Sequence, residues 1–302
     1  MKLQFSLPYR AEWGQTLCVE LTLLSGRGRE KPVLVPMDTQ DGLLWRAEYR
    51  VMETGIQQFR YAYAVYAGDE MLRREWTRVP RLFDADAGRD FKMDDFWMDV
   101  PSRPWLFDPQ FNDAAAPAAD AAALHTPVFN QTIVFRVLAP WLEQGQAIAL
   151  LGTQPPLGDW RQERALRLAD TGCGEWRLAI SMTALQLPVQ YKYVVVDTQT
   201  GDIVEWEYGN NRRIEAGSSR IEATTSHALT TICRNDGMFR IENPDDGSSL
   251  ADMIEAAHER GLTAVDLQTL DEMLQLCPPT ADVMAADTEE ADVAAEADES
   301  RE

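Results

Sequence analysis

Short stretches in which apolar and polar residues alternate recur along most of the chain. In its second half, residues 132–137, 147–151, 176–180 and 189–196 follow this pattern, and Gly-, Pro- and Asp-rich segments separate them. Alternation with a period of two predicts strands that bury one face. Several short strands within about 100 residues, divided by turn signals, are typical of a β-sandwich.

The pattern occurs twice. Gly14 precedes Trp45 by 31 residues, and Gly145 precedes Trp176 by the same distance, so the two copies are offset by 131 residues. Residues 58–61 correspond to 190–193 at an offset of 132, and 75–76 correspond to 205–206 at 130. Such ordered matches indicate a duplicated domain. In the first copy, strands are predicted at residues 17–24, 44–51, 58–66 and around Trp76. Trp45 and Trp176, which begin equivalent strands, are predicted to lie in the cores.

The predicted fold class is all-β, with two immunoglobulin-like antiparallel β-sandwich modules in tandem, followed by a short helical segment and a disordered acidic tail. Helical spacing of apolar residues between 248 and 276 predicts the helical segment. The tail is rich in Ala, Asp and Glu. The predicted boundaries are residues 1–111 for the first module, 112–126 for an Ala-rich linker, 127–226 for the second module, 227–279 for the helical segment and 280–302 for the tail.

Composition narrows the range of ligands. The formal net charge of −21 disfavours nucleic acids and anionic membranes as partners, whereas a neutral sugar is compatible with it. The four cysteines are far apart and form no zinc-binding pattern, so no metal or other cofactor is expected. The N-terminus does not resemble a signal peptide, and no apolar run approaches the roughly 20 residues that span a bilayer. A cytoplasmic location is therefore expected.

Two tryptophans of the second copy stand where a core role is less natural. Trp160 ends a Pro- and Gly-rich loop, and Trp206 lies between two glutamates near a strand end. Proteins bind a pyranose by stacking an indole on its apolar face and directing polar groups at its hydroxyls. Lys192, Glu207 and Asn211 are candidate polar partners. The pattern alone leaves open whether these rings are binding platforms or core residues.

The second copy resembles a family 20 carbohydrate-binding module, the starch-binding domain. The matching features, in chain order, are Leu151-Gly152, Leu157-Gly158-Asp159-Trp160, Trp176, Tyr191-Lys192-Tyr193 and Trp206-Glu207-Tyr208-Gly209-Asn210-Asn211-Arg212. The resemblance implies a principal site for starch-like α-glucan that consists of Trp160, Lys192, Trp206, Glu207 and Asn211.

The first copy is less similar to this family. By the sequence offsets, Arg60 replaces Lys192, and Trp76 keeps the second tryptophan without the glutamate and asparagine that follow it. A degenerate principal site is therefore expected. Trp13 stands where the family can place an aromatic of a second glucan site, which makes it a candidate sugar contact, with packing as the alternative.

The tandem arrangement is similar to the N-terminal half of disproportionating-enzyme-type 4-alpha-glucanotransferases, in which a catalytic barrel follows. The remaining residues of this chain do not resemble a barrel. Glycoside chemistry normally requires two carboxylates that face one bond. Glu205 and Glu207 are two residues apart on one strand, but they belong to the binding motif, so no catalytic site is predicted.

Three hypotheses follow from the sequence. The leading one is non-catalytic binding of starch, glycogen or maltodextrin, mainly by the second module. The second is a substrate-targeting part or fragment of a 4-alpha-glucanotransferase, with a glucanotransferase as partner. The third is a protein-interaction adaptor that acts through the C-terminal segment.

Overall fold

The computed structural model describes residues 1–26, 28–101, 103–110, 112, 129–214 and 229–241. All of them belong to one compact unit, Met1–Asp246, and Gly247–Glu302 form a second unit that lies outside the described residues. The predicted linker, apart from Asn112, and the predicted acidic tail also lie outside them. So does the predicted helical segment, apart from residues 229–241.

Each half of the described chain contributes nine strands. The first module contains β1 (Lys2–Pro8), β2 (Gln15–Ser25), β3 (Glu30–Pro36), β4 (Asp38–Thr39), β5 (Leu44–Arg50), β6 (Ile56–Ala67), β7 (Glu70–Arg74), β8 (Arg81–Asp84) and β9 (Arg89–Asp94). The second contains β10 (Gln131–Leu138), β11 (Gln146–Gly152), β12 (Leu166–Arg167), β13 (Ala169–Gly172), β14 (Glu175–Ser181), β15 (Val189–Asp197), β16 (Ile203–Trp206), β17 (Arg212–Ile214) and β18 (Leu229–Met238).

The strands of the two modules pair in the same way. β1 pairs antiparallel with β5 and parallel with β9, and β10 pairs likewise with β14 and β18. β2 lies between β3 and β6, as β11 lies between β12 and β15. β6 also pairs with β7 and β8, and β15 with β16 and β17. The repeat in the sequence is therefore a repeat of the fold, and the all-β sandwich prediction is confirmed. The antiparallel prediction holds except for β9 and β18.

One continuous sheet joins the two modules. β9 and β18 pair in parallel, which gives an eight-stranded sheet in the order β13-β14-β10-β18-β9-β1-β5-β4. On β18, Cys233 packs in the first core and Ile232 in the second. Successive residues of a strand point to opposite faces. The two five-stranded sheets therefore pack on opposite faces of the shared sheet.

The prediction of helical structure from residue 227 onward is wrong for residues 229–238, which form β18. This strand carries the polar run Arg234-Asn235-Asp236, which weakens the alternation of apolar residues that identifies a strand in a sequence. All three side chains are nevertheless buried. Their partners come from both modules: Arg234 pairs with Asp94 and with Asp236, and the Asn235 amide donates to Asp95.

The repeated Gly-Gln motif closes the same turn in both modules. Gly14 and Gly145 have φ angles of +86° and +91°, a region that glycine enters without steric cost. The following glutamine side chain accepts a hydrogen bond from the backbone N–H of Glu12 or of Glu143. As predicted, Trp45 and Trp176 are buried in the cores.

The described residues of the segment that follows β9 contact both modules. Trp76 lies after β7 rather than in a strand, and its ring meets Phe107 edge to face at 4.7 Å. Phe107 shares a small apolar cluster with Met98 of the same segment and with Leu138 of the second module. The Asn112 amide donates to the carbonyls of Leu106 and Pro140. Asn112, where the sequence predicted the start of a linker, thus ties this segment to the second module.

Candidate functional site

Trp160 and Trp206 lie side by side on the outer face of the second module. Trp206, at the end of β16, is 46% exposed, and Trp160 is half-buried at the end of the 3-10 turn Pro155–Trp160. Their ring centroids are 6.4 Å apart and their planes are tilted by 42°. The two indoles therefore form one angled aromatic surface that solvent can reach.

An unusual backbone conformation presents Trp160. Gly158, Asp159 and Trp160 have φ angles of +86°, +51° and +59°. Non-glycine residues are rare in this region and cost free energy there, so packing must hold the loop. A Cβ on Gly158 would lie 2.7 Å from the Arg164 carbonyl oxygen and 2.9 Å from Cδ2 of Leu151. Glycine at 158 thus allows the loop to pack closely on β11.

Polar groups continue this surface along β15. Gln190, Lys192 and Val194 alternate along the strand and share its outer face, and Val194 pairs directly with Trp206. Lys192 is half-buried. Asn211 is exposed, and its amide donates to Oε1 of Gln190 at 3.0 Å. The structure thus brings Lys192 and Asn211 to the same face as the two tryptophans. Gln190, which orients Asn211, was not singled out in the sequence.

The prediction that Glu207 contacts sugar does not fit its position. Its side chain is buried and turned inward, with the Arg212 Nε donating to both carboxylate oxygens at 3.0 Å. The Arg240 Nε donates to Oε1 at 3.2 Å. A fully paired, inward carboxylate leaves no atom for a ligand on the outer face. Glu207 instead ties the segment after Trp206 to β17 and to the end of β18.

A buried network behind the outer face supports this arrangement. The hydroxyls of Tyr191 and Tyr193 both donate to Oδ2 of Asp236 at 2.8 Å. Burial by itself would raise the pKa of Asp236, but the neighbouring Arg234 and Arg212 guanidiniums outweigh it and hold that pKa below its ordinary value. Asp236 is therefore a charged anchor beneath β15, the strand that carries the polar groups.

Comparison with known families identifies this module. Residues 130–226 match the family model of the starch binding domain, CBM_20. The second module is a family 20 starch binding domain. The matched range ends before β18, which completes the sandwich.

The chain is also similar to individual proteins. A 4-alpha-glucanotransferase, DPE2, of Oryza sativa subsp. japonica is 25% identical over 264 residues, which covers 82% of this chain and 27% of that enzyme. The chain thus spans about a quarter of that relative's length. Among solved structures, the family 20 module of a maltotetraose-forming amylase from Pseudomonas saccharophila STB07 is 21% identical, with a TM-score of 0.28, and covers 36% of this chain and 99% of that one. A Hypocrea jecorina glucoamylase is 18% identical, with a TM-score of 0.28, over 38% and 18% of the two chains.

Strand register shows which residues of the first module correspond to those of the starch binding domain. The Glu75 N–H donates to the Tyr63 carbonyl, just as the Glu207 N–H donates to the Tyr193 carbonyl. Arg81 pairs with Glu75, as Arg212 pairs with Glu207. Glu75 is therefore the counterpart of Glu207, so the first module keeps this glutamate.

The correspondence of Trp76 with Trp206 in the sequence is therefore wrong by two residues. Arg74 pairs with Ala64 at the position where Trp206 pairs with Val194. The first module thus has an arginine in place of the exposed tryptophan.

The predicted correspondence of Arg60 with Lys192 is also wrong. Lys192 pairs with Leu151, and the matching pair in the first module is Ala62 with Glu20. The cause is a repeated aromatic-x-Tyr pattern on β6, which fits the Tyr-Lys-Tyr motif of β15 in two registers. The first module therefore has an alanine at the lysine position.

Trp13 is fully exposed, in the turn between β1 and β2. Packing, the alternative to a sugar contact at this position, therefore does not account for it. It lies in the first module, whereas Trp160 and Trp206 lie in the second, so the structure does not bring it into their site.

The two carboxylates considered for glycoside chemistry do not face one ligand. Glu205 is exposed and Glu207 is buried and paired. Over the residues that the structure describes, no group of three or more His, Cys, Asp or Glu side chains is placed to hold a metal ion. Over the same residues, there is no helix with the length and apolar character needed to cross a membrane.

Proposed function

We propose that the protein binds starch-type α-glucan without transforming it, and that glucose units stack on Trp160 and Trp206. The observation that carries the proposal is the exposed, tilted pair of indoles on one face. The family assignment of the second module supports the same ligand class. Lys192 and Asn211, on that face, supply hydrogen-bond donors for the sugar hydroxyls.

The exposed ring of Trp206 sets the expected contribution. An indole side chain has about 250 Å² of surface, so an exposure of 46% leaves about 115 Å². A sugar that covers half of this removes about 60 Å² from water, which contributes about 1.5 kcal/mol. Stacking adds about 1 kcal/mol. The sum of about 2.5 kcal/mol corresponds to a factor of about 60 in affinity.

Calorimetric titration with maltoheptaose tests the proposal. We expect a dissociation constant in the micromolar to millimolar range, about −4 to −8 kcal/mol. Trp206→Ala should weaken binding about 60-fold, while Trp13→Ala, which also removes an exposed tryptophan, should keep most of the affinity. Absence of binding by the unmodified protein at millimolar ligand would reject the proposal. Equal losses in the two variants would argue against the Trp160–Trp206 site.

A second candidate function is that of a substrate-targeting part of a 4-alpha-glucanotransferase. The similarity to the rice enzyme favours it, because the match covers 82% of this chain but only 27% of the enzyme. In this case the chain would bring α-glucan to a glucanotransferase partner. The test is to purify the tagged chain from its natural source and assay the eluate for transfer of glucose units between maltooligosaccharides. Activity in the eluate would support a partner enzyme, and its absence would count against one.

A further inference from the structure

A cleft of about 590 Å³ opens on the same face of the starch binding domain as the tryptophan pair. One wall comes from the turn that follows Trp160, and the other from the turn between β15 and β16. Its lining includes Gln162, Glu163, Arg167, Val196 and Asp202.

The strand register places the floor of this cleft two residues from the position on β15 that pairs with Trp206. Val194, which pairs with Trp206, and Val196, which pairs with Ile203, lie two residues apart on the outer face of β15. Two residues of strand span about 7 Å. Lys192 lies at the same spacing on the other side of Val194. Lys192, the aromatic pair and the cleft therefore follow one another in this order along the outer face of β15.

The walls of the cleft are joined and polar. The Gln162 amide donates to Oδ1 of Asp202 at 2.9 Å, which links the two turns. The Arg167 guanidinium donates to the Thr198 carbonyl at 3.1 Å, and Glu163 is exposed. Such amide, carboxylate and guanidinium groups can exchange hydrogen bonds with sugar hydroxyls. The buried Val196 supplies an apolar floor.

The charges around the cleft favour an uncharged ligand. Glu163 and Asp202 are acidic and Arg167 is basic, so the lining carries a net charge of −1. An anionic group such as a phosphate would be disfavoured there. Neutral glucose units, with apolar faces and a rim of hydroxyls, match both the polar walls and the apolar floor.

We propose that this cleft is a further subsite, which takes the glucose units that follow those stacked on Trp160 and Trp206. The protein then selects open α-glucan chains with an end or a straight run that can continue beyond the indoles. This inference rests on the proposed function, because the tryptophans must hold the preceding units.

A comparison of two ligands separates the cleft from the tryptophan pair. Maltoheptaose and β-cyclodextrin contain the same number of glucose units, but the closed ring of the cyclodextrin curves back and sends no units into the cleft. Both ligands are titrated calorimetrically against the full chain and against Glu163→Ala and Arg167→Ala. Arg50→Ala, an exposed arginine of the first module, is the matched control for the arginine change.

Glu163→Ala and Arg167→Ala should each weaken maltoheptaose binding about fivefold, the loss expected for one hydrogen bond. Their β-cyclodextrin affinity should equal that of the unmodified protein, and Arg50→Ala should leave both affinities unchanged. Equal effects on the two ligands, or no effect on maltoheptaose, would overturn the subsite. If neither ligand binds the unmodified protein, the proposed function itself fails. Because Glu163 is exposed, its variant remains informative even if Arg167→Ala unfolds.

Discussion

Replacing Glu207 with glutamine tests whether this residue contacts sugar or holds the site in place. The substitution keeps the shape of the side chain and removes its charge. In the structure, the Glu207 carboxylate is buried and paired with Arg212 and Arg240. Removing one partner of a buried ion pair costs about 3–5 kcal/mol, because a buried charge loses its compensation.

The structure indicates that the loss of stability in Glu207→Gln lies at the lower end of this range. Arg212 keeps a second carboxylate, Asp236, at 3.4 Å, and the side chain of Arg240 is 40% exposed and can be solvated. We therefore expect Glu207→Gln to lower the free energy of unfolding by about 3 kcal/mol. For a unit of this size, that corresponds to a fall in the melting temperature of about 6–12 °C.

Scanning calorimetry and a maltoheptaose titration of Glu207→Gln together show whether Glu207 contacts sugar or positions the site. If Glu207 is a positioning residue, stability falls, and at a temperature where the variant remains folded its affinity changes far less than that of Trp206→Ala. The matched control is Glu75→Gln in the first module. This variant should be less stable than the unmodified protein but should bind maltoheptaose with the same affinity. An unchanged melting temperature together with a large loss of affinity would refute this reasoning and restore a direct sugar contact.

Three further predictions follow from the site and its support. Gly158→Ala should lower both stability, by at least about 1 kcal/mol, and glucan affinity, because a Cβ at φ +86° would press on β11 and displace Trp160; thermal unfolding and titration would measure this, and a variant that matches the parent would contradict it. Raising the salt concentration from about 50 to 500 mM should change maltoheptaose affinity less than twofold, because the ligand is neutral and stacking is not screened; a steep salt dependence would contradict this. Acidification below about pH 4 should destabilise the fold, because the charged partners of Asp236 and Glu175 hold the pKa of each carboxyl below its ordinary value despite burial. The unfolded chain then takes up protons at a higher pH than the folded chain, so stability is lost as the pH falls. A melting temperature that stays constant from pH 5 to about pH 3 would show that these carboxyls do not contribute to stability.

The outer face of the second module was largely predictable from its motifs. The Leu-Gly-Asp-Trp loop and the Trp-Glu-x-Gly-x-Asn segment pointed to Trp160, Trp206 and Asn211, and the structure brings them to one face. The residues of each motif are close together in the sequence, so the local backbone conformation largely determines where their side chains lie. The direction of Glu207 was not fully predictable in this way, because one of its two partners, Arg240, lies 33 residues further along the chain, although the other, Arg212, belongs to the same motif.

The sequence was least informative where polar residues are buried. β18 contains Arg234, Asn235 and Asp236, which resemble a solvated segment until their partners on β6, β9 and β15 are known. The partners in the first module reach Arg234 and Asn235 because β9 pairs in parallel with β18, a contact between residues about 140 positions apart. Tyr191, the partner of Asp236, belongs to the second module. The periodicity of apolar residues predicts which side chains of one strand share a face, and it does not predict such distant pairs.

Register within the repeat shows a second limit. Phe59-Arg60-Tyr61 and Tyr61-Ala62-Tyr63 both resemble Tyr191-Lys192-Tyr193, and side-chain identity favoured the first alignment. The hydroxyls of Tyr61 and Tyr63 share Asp95, as those of Tyr191 and Tyr193 share Asp236, which fixes the second alignment. A shift of two residues keeps every side chain on the same face, so the alternating pattern cannot detect it.

The most direct test is a crystal structure of the protein with bound maltoheptaose. We expect glucose rings to lie over Trp160 and Trp206, within hydrogen-bonding distance of Lys192 or Asn211, while the Glu207 carboxylate stays paired with Arg212. Sugar bound only at another surface, such as that around Trp13, with the two indoles left uncovered, would contradict the account.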